Sequence, residues 1–333
     1  MSIHILKPGL LTAVQDMGRY SFQKYGVIVS GVMDSFASRT ANIVVGNDEN
    51  EAVLELTLTG PTLQFVKDSV ISICGADFSP KVNGQRLPLW RPVFIQSGSI
   101  IHFSNVKEGC RAYIAVSGGI DVPVVMGSKS TYIRAQIGGF KGRPLKRGDI
   151  IPVKAPAGYA IQLMGKLRRM EEAPFSTVNW TVHHVLRKSY TGNIRFIRGP
   201  QFELFSNETI TTFEQNYFQI SPQSDRMGYR LTGHILSPIE KTELFSEAVP
   251  IGTIQVPPDG NPIILMADRQ TTGGYPILGI VVSVDIPVLA QMKPGDKLKL
   301  KEITLEDAEK ELIEREAALQ LLKQTVKLAI GEM

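Results

Sequence analysis

Arginines, carboxylates and amides are concentrated in two stretches of this chain, and both read as chemistry presented from loops. The run from Phe245 to Pro276, FSEAVPIGTIQVPPDGNPIILMADRQTTGGYP, is too polar and too broken by glycine and proline for an ordinary core element. It spends Ser246, Glu247, Gln255, Asp259, Asp268, Arg269, Gln270, Thr271, Thr272 and Tyr275 around short apolar strands, the pattern of functional loops on a rigid sheet. Upstream, SDRMGYRL from Ser224 to Leu231 places Arg226 and Arg230 near glycine, and guanidinium forks suit planar carboxylates or phosphates. Together these residues point to a small anionic substrate.

Familiar catalytic constellations are missing. The chain has no G-x-x-x-x-G-K-[ST] phosphate loop, no G-x-G-x-x-G after a strand and no G-x-S-x-G elbow. His183 and His184 are adjacent rather than four apart, with no carboxylate at metal-ligand spacing. What remains is a set of Arg, Asp, Glu, Gln, Thr and backbone N–H groups that can orient a substrate and stabilise developing negative charge without naming a reaction. Plainer roles stay open. Asp225 and Arg226 could form an exposed ion pair, Asp16 and Arg19 could fix a turn, and Gly118, Gly119, Gly138, Gly139, Gly273 and Gly274 suit turns or close packing.

The elements that must position these groups are short β-like runs: Val70 to Cys74, Val93 to Ile95, Ile100 to Phe103, Ala112 to Val116, Asn193 to Ile197, Ile263 to Ala267 and Ile280 to Val284. Their Ile, Val, Phe and Tyr content, with Gly, Pro, Asn and Asp between, predicts an antiparallel barrel or sandwich. Two helices are expected. One starts after Asp34 as N-cap and stops at Gly46, and the other runs from Leu305 to about Leu328 behind a capping box of Thr304 and Asp307. Arg315 interrupts the apolar stripe of the second, which is expected to pack on its own barrel or to dock a partner.

The halves read as diverged copies. GPTLQF, DVPVV and LKRGD in the first recur in order as GPQFELF, DIPVL and MKPGD in the second. A boundary is expected between Ala155 and Thr191, where the linker could contribute a strand of its own.

Composition excludes several classes. With 43% hydrophobic and 20% charged residues over 333 positions, the chain is globular and long enough for two domains. A net charge of +4, with the basic runs KGRPLKR and KLRR free of interleaved aromatics, predicts no nucleic-acid partner. No apolar run reaches membrane-spanning length and MSIHILKPG lacks a signal-peptide core, so a cytoplasmic protein with no membrane partner is expected. Cys74 and Cys110 are too few for a disulfide framework.

Motifs along nearly the whole chain carry a family resemblance. PGLLTAVQDMGRYSFQKYGVIVSGVMDSFASRTAN, SGGIDVPVVMGSKST, GGFKGRPLKRGD, SDRMGYRL, SEAVPIGTIQVPPDG and ADRQTTGGYP resemble the allophanate hydrolase subunit 2 and urea carboxylase carboxyltransferase-domain family, and more narrowly the C subunits of 5-oxoprolinases. The resemblance implies a mainly β fold of two tandem cyclophilin-like β-barrel domains with few helices, placed at residues 1–155 and 192–303, with a linker at 156–191 and a C-terminal helix at 304–333. It implies two partners, a KipI-like B subunit and a hydrolytic A subunit, and conversion of 5-oxo-L-proline to L-glutamate with ATP cleaved to ADP and phosphate. The chain would act only in complex, with ATP and Mg²⁺ as cofactors.

Within that resemblance, Arg226 and Arg230 are expected to hold the substrate carboxylate or phosphate. Glu247 and Asp268 are expected in metal coordination or proton transfer, and Gln255, Gln270, Thr271 and Tyr275 in orientation. The first half adds Gln15, Asp16, Arg19 and Asp34. Two alternatives stand beside it: a carboxyltransferase-type subunit whose biotin is carried on another chain, since no Met-Lys-Met motif occurs here, and a regulatory protein that counteracts a KipI-like histidine-kinase inhibitor in sporulation control.

Overall fold

A computed structural model of the chain describes residues 1–168, 175–182, 192–240 and 244–332. His183 and His184 lie outside the described residues. The fold is mainly β, with five α-helices among the described residues: α1 (Ser35–Val45), α2 (Tyr159–Arg168), α3 (Asn207–Gln215), α4 (Ile286–Ala290) and α5 (Leu305–Glu332). The chain divides into two compact units that interleave in sequence. One comprises Met1–Arg19, Asp34–Arg187 and Ala317–Met333, and the other Tyr20–Met33 and Lys188–Glu316.

The first unit builds two six-stranded sheets. One has the order Ile150–Pro152, Ser2–Lys7, Thr62–Phe65, Ile100–His102, Lys81–Val82, Gln85–Arg86; the other runs Phe175–Thr177, Val93–Ile95, Ser69–Asp77, Glu108–Val116, Val53–Thr57, Leu11–Gln15. Alternating residues of both sheets, among them Ile3, Ile5, Leu63, Phe65, Ile71, Ile73, Ala112 and Ile114, share one core. The strand Phe175–Thr177 pairs with Val93–Ile95, so the expected linker does contribute a strand.

Helix α1 begins where Asp34 accepts a 2.8 Å bond from the Ala37 N–H and ends at Gly46 in the left-handed region, φ 84°. These are the caps the sequence signals. Asp34 is thereby committed to the helix N-terminus, and its own N–H donates to the Tyr113 hydroxyl at 2.8 Å.

The second unit closes a seven-stranded barrel of Asn193–Arg198, Ile277–Val281, Thr253–Gln255, Ile263–Leu265, Gly228–Thr232, Tyr217–Ile220 and Lys297–Glu302. Closure removes the open sheet edges. Phe196, Phe213 and Phe218 pack inside it at ring separations of 5.2 and 5.8 Å. Residues 20–33, placed above within the first domain, group with this unit. The physical reason is that Met33 is buried in the barrel core while Ser30 and Gly31 bond Asp268 and Arg226.

The internal repeat is preserved in one of its three matches. In both LKRGD and MKPGD a carboxylate accepts from the backbone N–H three residues earlier, Lys146 to Asp149 at 2.7 Å and Lys293 to Asp296 at 3.0 Å. Both turns place glycine at positive φ, 88° and 93°. The other matches diverge: GPTLQF leads into a strand and GPQFELF into a 3₁₀ turn, while DIPVL forms α4 and DVPVV does not. Helix α5 starts on the expected Thr304 cap, which accepts from the Asp307 N–H at 3.1 Å. Arg315, which breaks its apolar stripe, donates to the Val284 and Ser283 carbonyls at 3.1 and 2.7 Å.

Candidate functional site

The two polar motifs of the second half are drawn together by a short ribbon. Glu247–Ala248 pairs antiparallel with Thr272–Gly273, and the Val249 N–H donates to the Thr271 carbonyl at 3.2 Å. SEAVP and ADRQTTGG, separated by two barrel strands in sequence, thus become one structure. Gly273 packs closely on the Gln255 amide, and an added Cβ would sit 2.4 Å from Nε2 and displace that side chain. Gln255 is 1% exposed, and its Nε2 has no hydrogen-bond partner among the described residues. A buried donor left unsatisfied costs about 1–3 kcal/mol.

Beside the ribbon, Asp268 receives a forked pair of bonds from Arg226, Nε to Oδ2 and Nη2 to Oδ1, both 3.0 Å. Ser30 donates its hydroxyl to Oδ1 at 2.8 Å, and Arg226 Nη2 also donates to the Gly31 carbonyl. The backbone joins in, with the Asp268 N–H donating to the Arg226 carbonyl at 2.8 Å. Ser30 holds its place in the left-handed region at φ 58°, a conformation that costs about 1–3 kcal/mol for a residue with a side chain and is retained here by these contacts. The fork of Arg226 therefore faces a protein carboxylate, and its role is to position the loop that carries Asp268.

Directly after Asp268 in sequence stands Arg269, on the wall of a cavity of about 280 Å³. Gln23, Gln270 and Thr271 supply further polar groups there, and Val29, Val249 and Pro250 an apolar side. Arg269 donates from Nε to the Val249 carbonyl at 3.0 Å, with a longer 3.5 Å contact from Nη1 to the Met266 carbonyl. No carboxylate pairs with it among the described residues. Burial pushes its guanidinium below the usual arginine value, with Tyr20 acting in the opposite sense, and it remains protonated at neutral pH.

The remaining expected residues are placed as follows. Gln270 and Thr271 line the cavity. Tyr275 is 45% exposed, and Glu247 is exposed on the ribbon. Arg230 is exposed on the strand Gly228–Thr232, whereas Arg226 is buried. In the first unit, Asp16 is saturated: Oδ1 accepts from Ser128, Ser130 and Gly18 at 2.7, 2.5 and 2.9 Å, and Oδ2 from the Lys129 N–H at 2.5 Å. Arg19 is fully buried and donates to the Ser130 carbonyl at 2.6 Å, while Gln15 donates to the Thr131 carbonyl at 3.1 Å. These three residues clamp the 128–131 loop of the GSKST motif onto the strand Leu11–Gln15.

Sequence reading includes Arg269 in the polar run 245–276 but assigns it no role, and it misses Ser30 and the loop residues Ser128 and Ser130. Asp268 and Arg269 stand in the turn that follows the strand Ile263–Leu265, closed by the Arg269 N–H on the Met266 carbonyl at 3.2 Å, and no sequence periodicity signals which of the two is paired.

Magnesium does not fit at Asp268, where both oxygens are engaged by Arg226 and Ser30. Glu247 supplies a single exposed carboxylate, and the described residues contain no cluster of three metal-ligating side chains. The arrangement offers amides, a hydroxyl and a guanidinium around one small cavity, with no paired nucleophile and base among the described residues that line it.

That class of protein is defined by its relatives as well. Residues 25–302 match the carboxyltransferase domain, subdomain A and B, and the chain belongs to this family. It is 37% identical to the C subunit of 5-oxoprolinase from Escherichia coli over 92% of this chain and 93% of that one. With the C subunit of 5-oxoprolinase from Haemophilus influenzae the figures are 32%, 97% and 98%. Among solved structures, the Kluyveromyces lactis urea amidolyase superposes with a TM-score of 0.85 at 27% identity, over 96% of this chain and 20% of that one. TTHA0988 superposes with a TM-score of 0.75 at 28% identity, over 90% and 55%. No helix among the described residues is long and apolar enough to cross a membrane.

Proposed function

We propose that this chain is the C subunit of an ATP-dependent 5-oxoprolinase. The observation that carries the reading is similarity to two proteins named as that subunit, along almost the full length of both partners, whereas the urea amidolyase of Saccharomyces cerevisiae, at 29% identity, is matched over only 17% of its length. The site is compatible. An unstrained lactam is a poor electrophile, and transfer of the γ-phosphoryl group to its carbonyl oxygen releases ADP and leaves an imidate-like carbon open to water. Addition of water, cleavage of the ring C–N bond with proton transfer to nitrogen, and hydrolytic loss of phosphate then give glutamate. Such a reaction calls for positioning and charge stabilisation, which Arg, Gln, Thr and backbone N–H groups provide.

The nucleotide and its Mg²⁺ belong elsewhere in the complex on this reading, because Asp268 is already engaged and no glycine-rich phosphate loop occurs in the sequence. The partners are a KipI-like B subunit and a hydrolytic A subunit, assembled with this chain in the cytoplasm. Contact with a KipI-like protein would also sequester it, so catalysis and regulation would share one interface. Reconstitution tests the proposal: the three purified subunits are expected to release ADP in proportion to glutamate formed from 5-oxoproline, and omission of this chain to abolish that coupling. Equal turnover without the chain would refute it.

A further inference from the structure

We infer that Arg269 is the residue that holds the carboxylate of a small cyclic substrate, in the cavity between the ribbon segment Ala248–Pro250 and the loop Arg269–Thr271. This rests on the proposed function for the identity of the substrate and on geometry for the site.

The choice of arginine follows from pairing. Arg226 is 7% exposed and its fork is closed on Asp268. Arg230 is exposed on the strand Gly228–Thr232. Arg195 and Arg198 are engaged by Asp285 and Glu302. Arg269 differs from all of these: it lines a cavity and has backbone carbonyls rather than a carboxylate as its partners. A carbonyl accepts a hydrogen bond without neutralising charge, so the guanidinium is anchored at Nε while its positive charge remains available to an anion. Burial strengthens that attraction, since a partly desolvated cation binds an anion more firmly than a hydrated one.

Size and lining select the anion. A volume of about 280 Å³ lies at the lower limit of pockets for drug-sized ligands, roughly 300–1,000 Å³, and suits a single small ring rather than a nucleotide. Val29, Val249 and Pro250 offer an apolar wall to ring methylenes. Gln23 and Gln270 offer amides to a lactam N–H and C=O. A monocarboxylate lactam satisfies all three features, with its carboxylate on Arg269 and its ring on the apolar wall. Arg269 then acts as a specificity-determining residue that fixes the ring before the carbonyl is activated.

The test is equilibrium titration of the assembled complex, without ATP, using 5-oxo-L-proline, its neutral carboxamide and inorganic phosphate as probes. Wild type is expected to bind 5-oxoproline saturably and the carboxamide at least tenfold more weakly, with phosphate failing to compete. Arg269→Gln is expected to lose at least tenfold in affinity for 5-oxoproline while leaving the affinity for the carboxamide unchanged, and Arg269→Lys to recover part of the loss. The unchanged carboxamide affinity separates a lost charge contact from a misfolded site. Equal binding of 5-oxoproline by wild type and Arg269→Gln, equal loss of both ligands, competition by phosphate, or no binding of the carboxylate at all would each overturn the assignment. Arg269-dependent carboxylate binding by a complex that shows no 5-oxoproline-dependent ADP release would instead keep this site and sink the proposed reaction.

Discussion

Arg226 and Asp268 meet through two parallel hydrogen bonds of 3.0 Å with both residues buried, at 7% and 6% exposure. A pair so desolvated contributes little beyond what a well-packed apolar pair would, but losing one member strands the other charge. Asp268→Asn is therefore expected to destabilise the second unit by about 3–5 kcal/mol. Calorimetry should show a drop in Tm of roughly 10 °C, at about 2–4 °C per kcal/mol for a protein of this class. An unchanged Tm would mean that the pair opens in solution and that Arg226 is available to a ligand.

In the first unit, Gly138 sits at φ 67° with its would-be Cβ 2.2 Å from the Ser130 carbonyl oxygen. That oxygen belongs to the loop clamped by Asp16 and Arg19 and has little freedom to retreat. Gly138→Ala is expected to cost more than about 1–3 kcal/mol, combining the strained backbone with the clash. Urea denaturation monitored by intrinsic fluorescence measures it, and a cost under about 0.5 kcal/mol would contradict the close packing.

The Arg143 fork on Asp149, at 2.7 and 2.8 Å, holds that carboxyl below the usual aspartate value, opposed by burial and assisted by the Lys146 N–H. A depressed carboxyl pKa stabilises the fold above the unfolded value near 3.9, and the contribution disappears as pH falls through the lower folded value. Asp149→Asn should consequently be less stable than wild type at pH 7, with the difference shrinking in acid. A pH-independent difference would assign the effect to packing.

Tyr113 accepts the Asp34 N–H at 2.8 Å inside the core, and burial first, then Glu55 and Asp34, push its phenol well above the ordinary tyrosine value. Tyr113→Phe leaves that N–H without its acceptor, an expected loss of about 1–3 kcal/mol at neutral pH. The raised pKa means that the neutral phenol is favoured in the fold, so this group's contribution is full below the unfolded value near 10 and declines as pH rises beyond it. Denaturation curves from pH 7 to 11 should accordingly fall less steeply for the Phe variant than for wild type.

Local chemistry was the legible part of this fold. Asp34 and Gly46 bound a helix because a carboxylate and a glycine solve the orphan N–H and C=O problem within one turn, and Val93–Ile95 is legible as a strand because two β-branched residues and a phenylalanine stand between Pro92 and the turn at Ser97–Gly98. The helix α3, by contrast, has only Phe213 buried, so its stripe is too sparse to announce itself. Helix α4 has five successive buried residues, which erases helical periodicity.

At the site, residue types were legible and partners were not. The motifs containing Glu247, Asp268, Gln270 and Thr271 do converge, because the ribbon pairs Glu247 with Gly273. Which arginine is closed on a protein carboxylate depended on contacts spanning large sequence distances, such as Ser30 and Arg226 with Asp268, that no periodicity encodes. Asp16 illustrates the same limit: its four donors come from Gly18 and from a loop more than a hundred residues away.

Whether this chain is a necessary part of a 5-oxoproline-opening complex is decided by the coupling between ADP release and glutamate formation when it is mixed, in purified form, with its hydrolytic and KipI-like partners. Coupled turnover is expected with all three proteins present, none from this chain alone, and restoration when it is added last to the other two. Full coupled turnover by the two partners without it, or by this chain alone, would contradict its assignment to the complex.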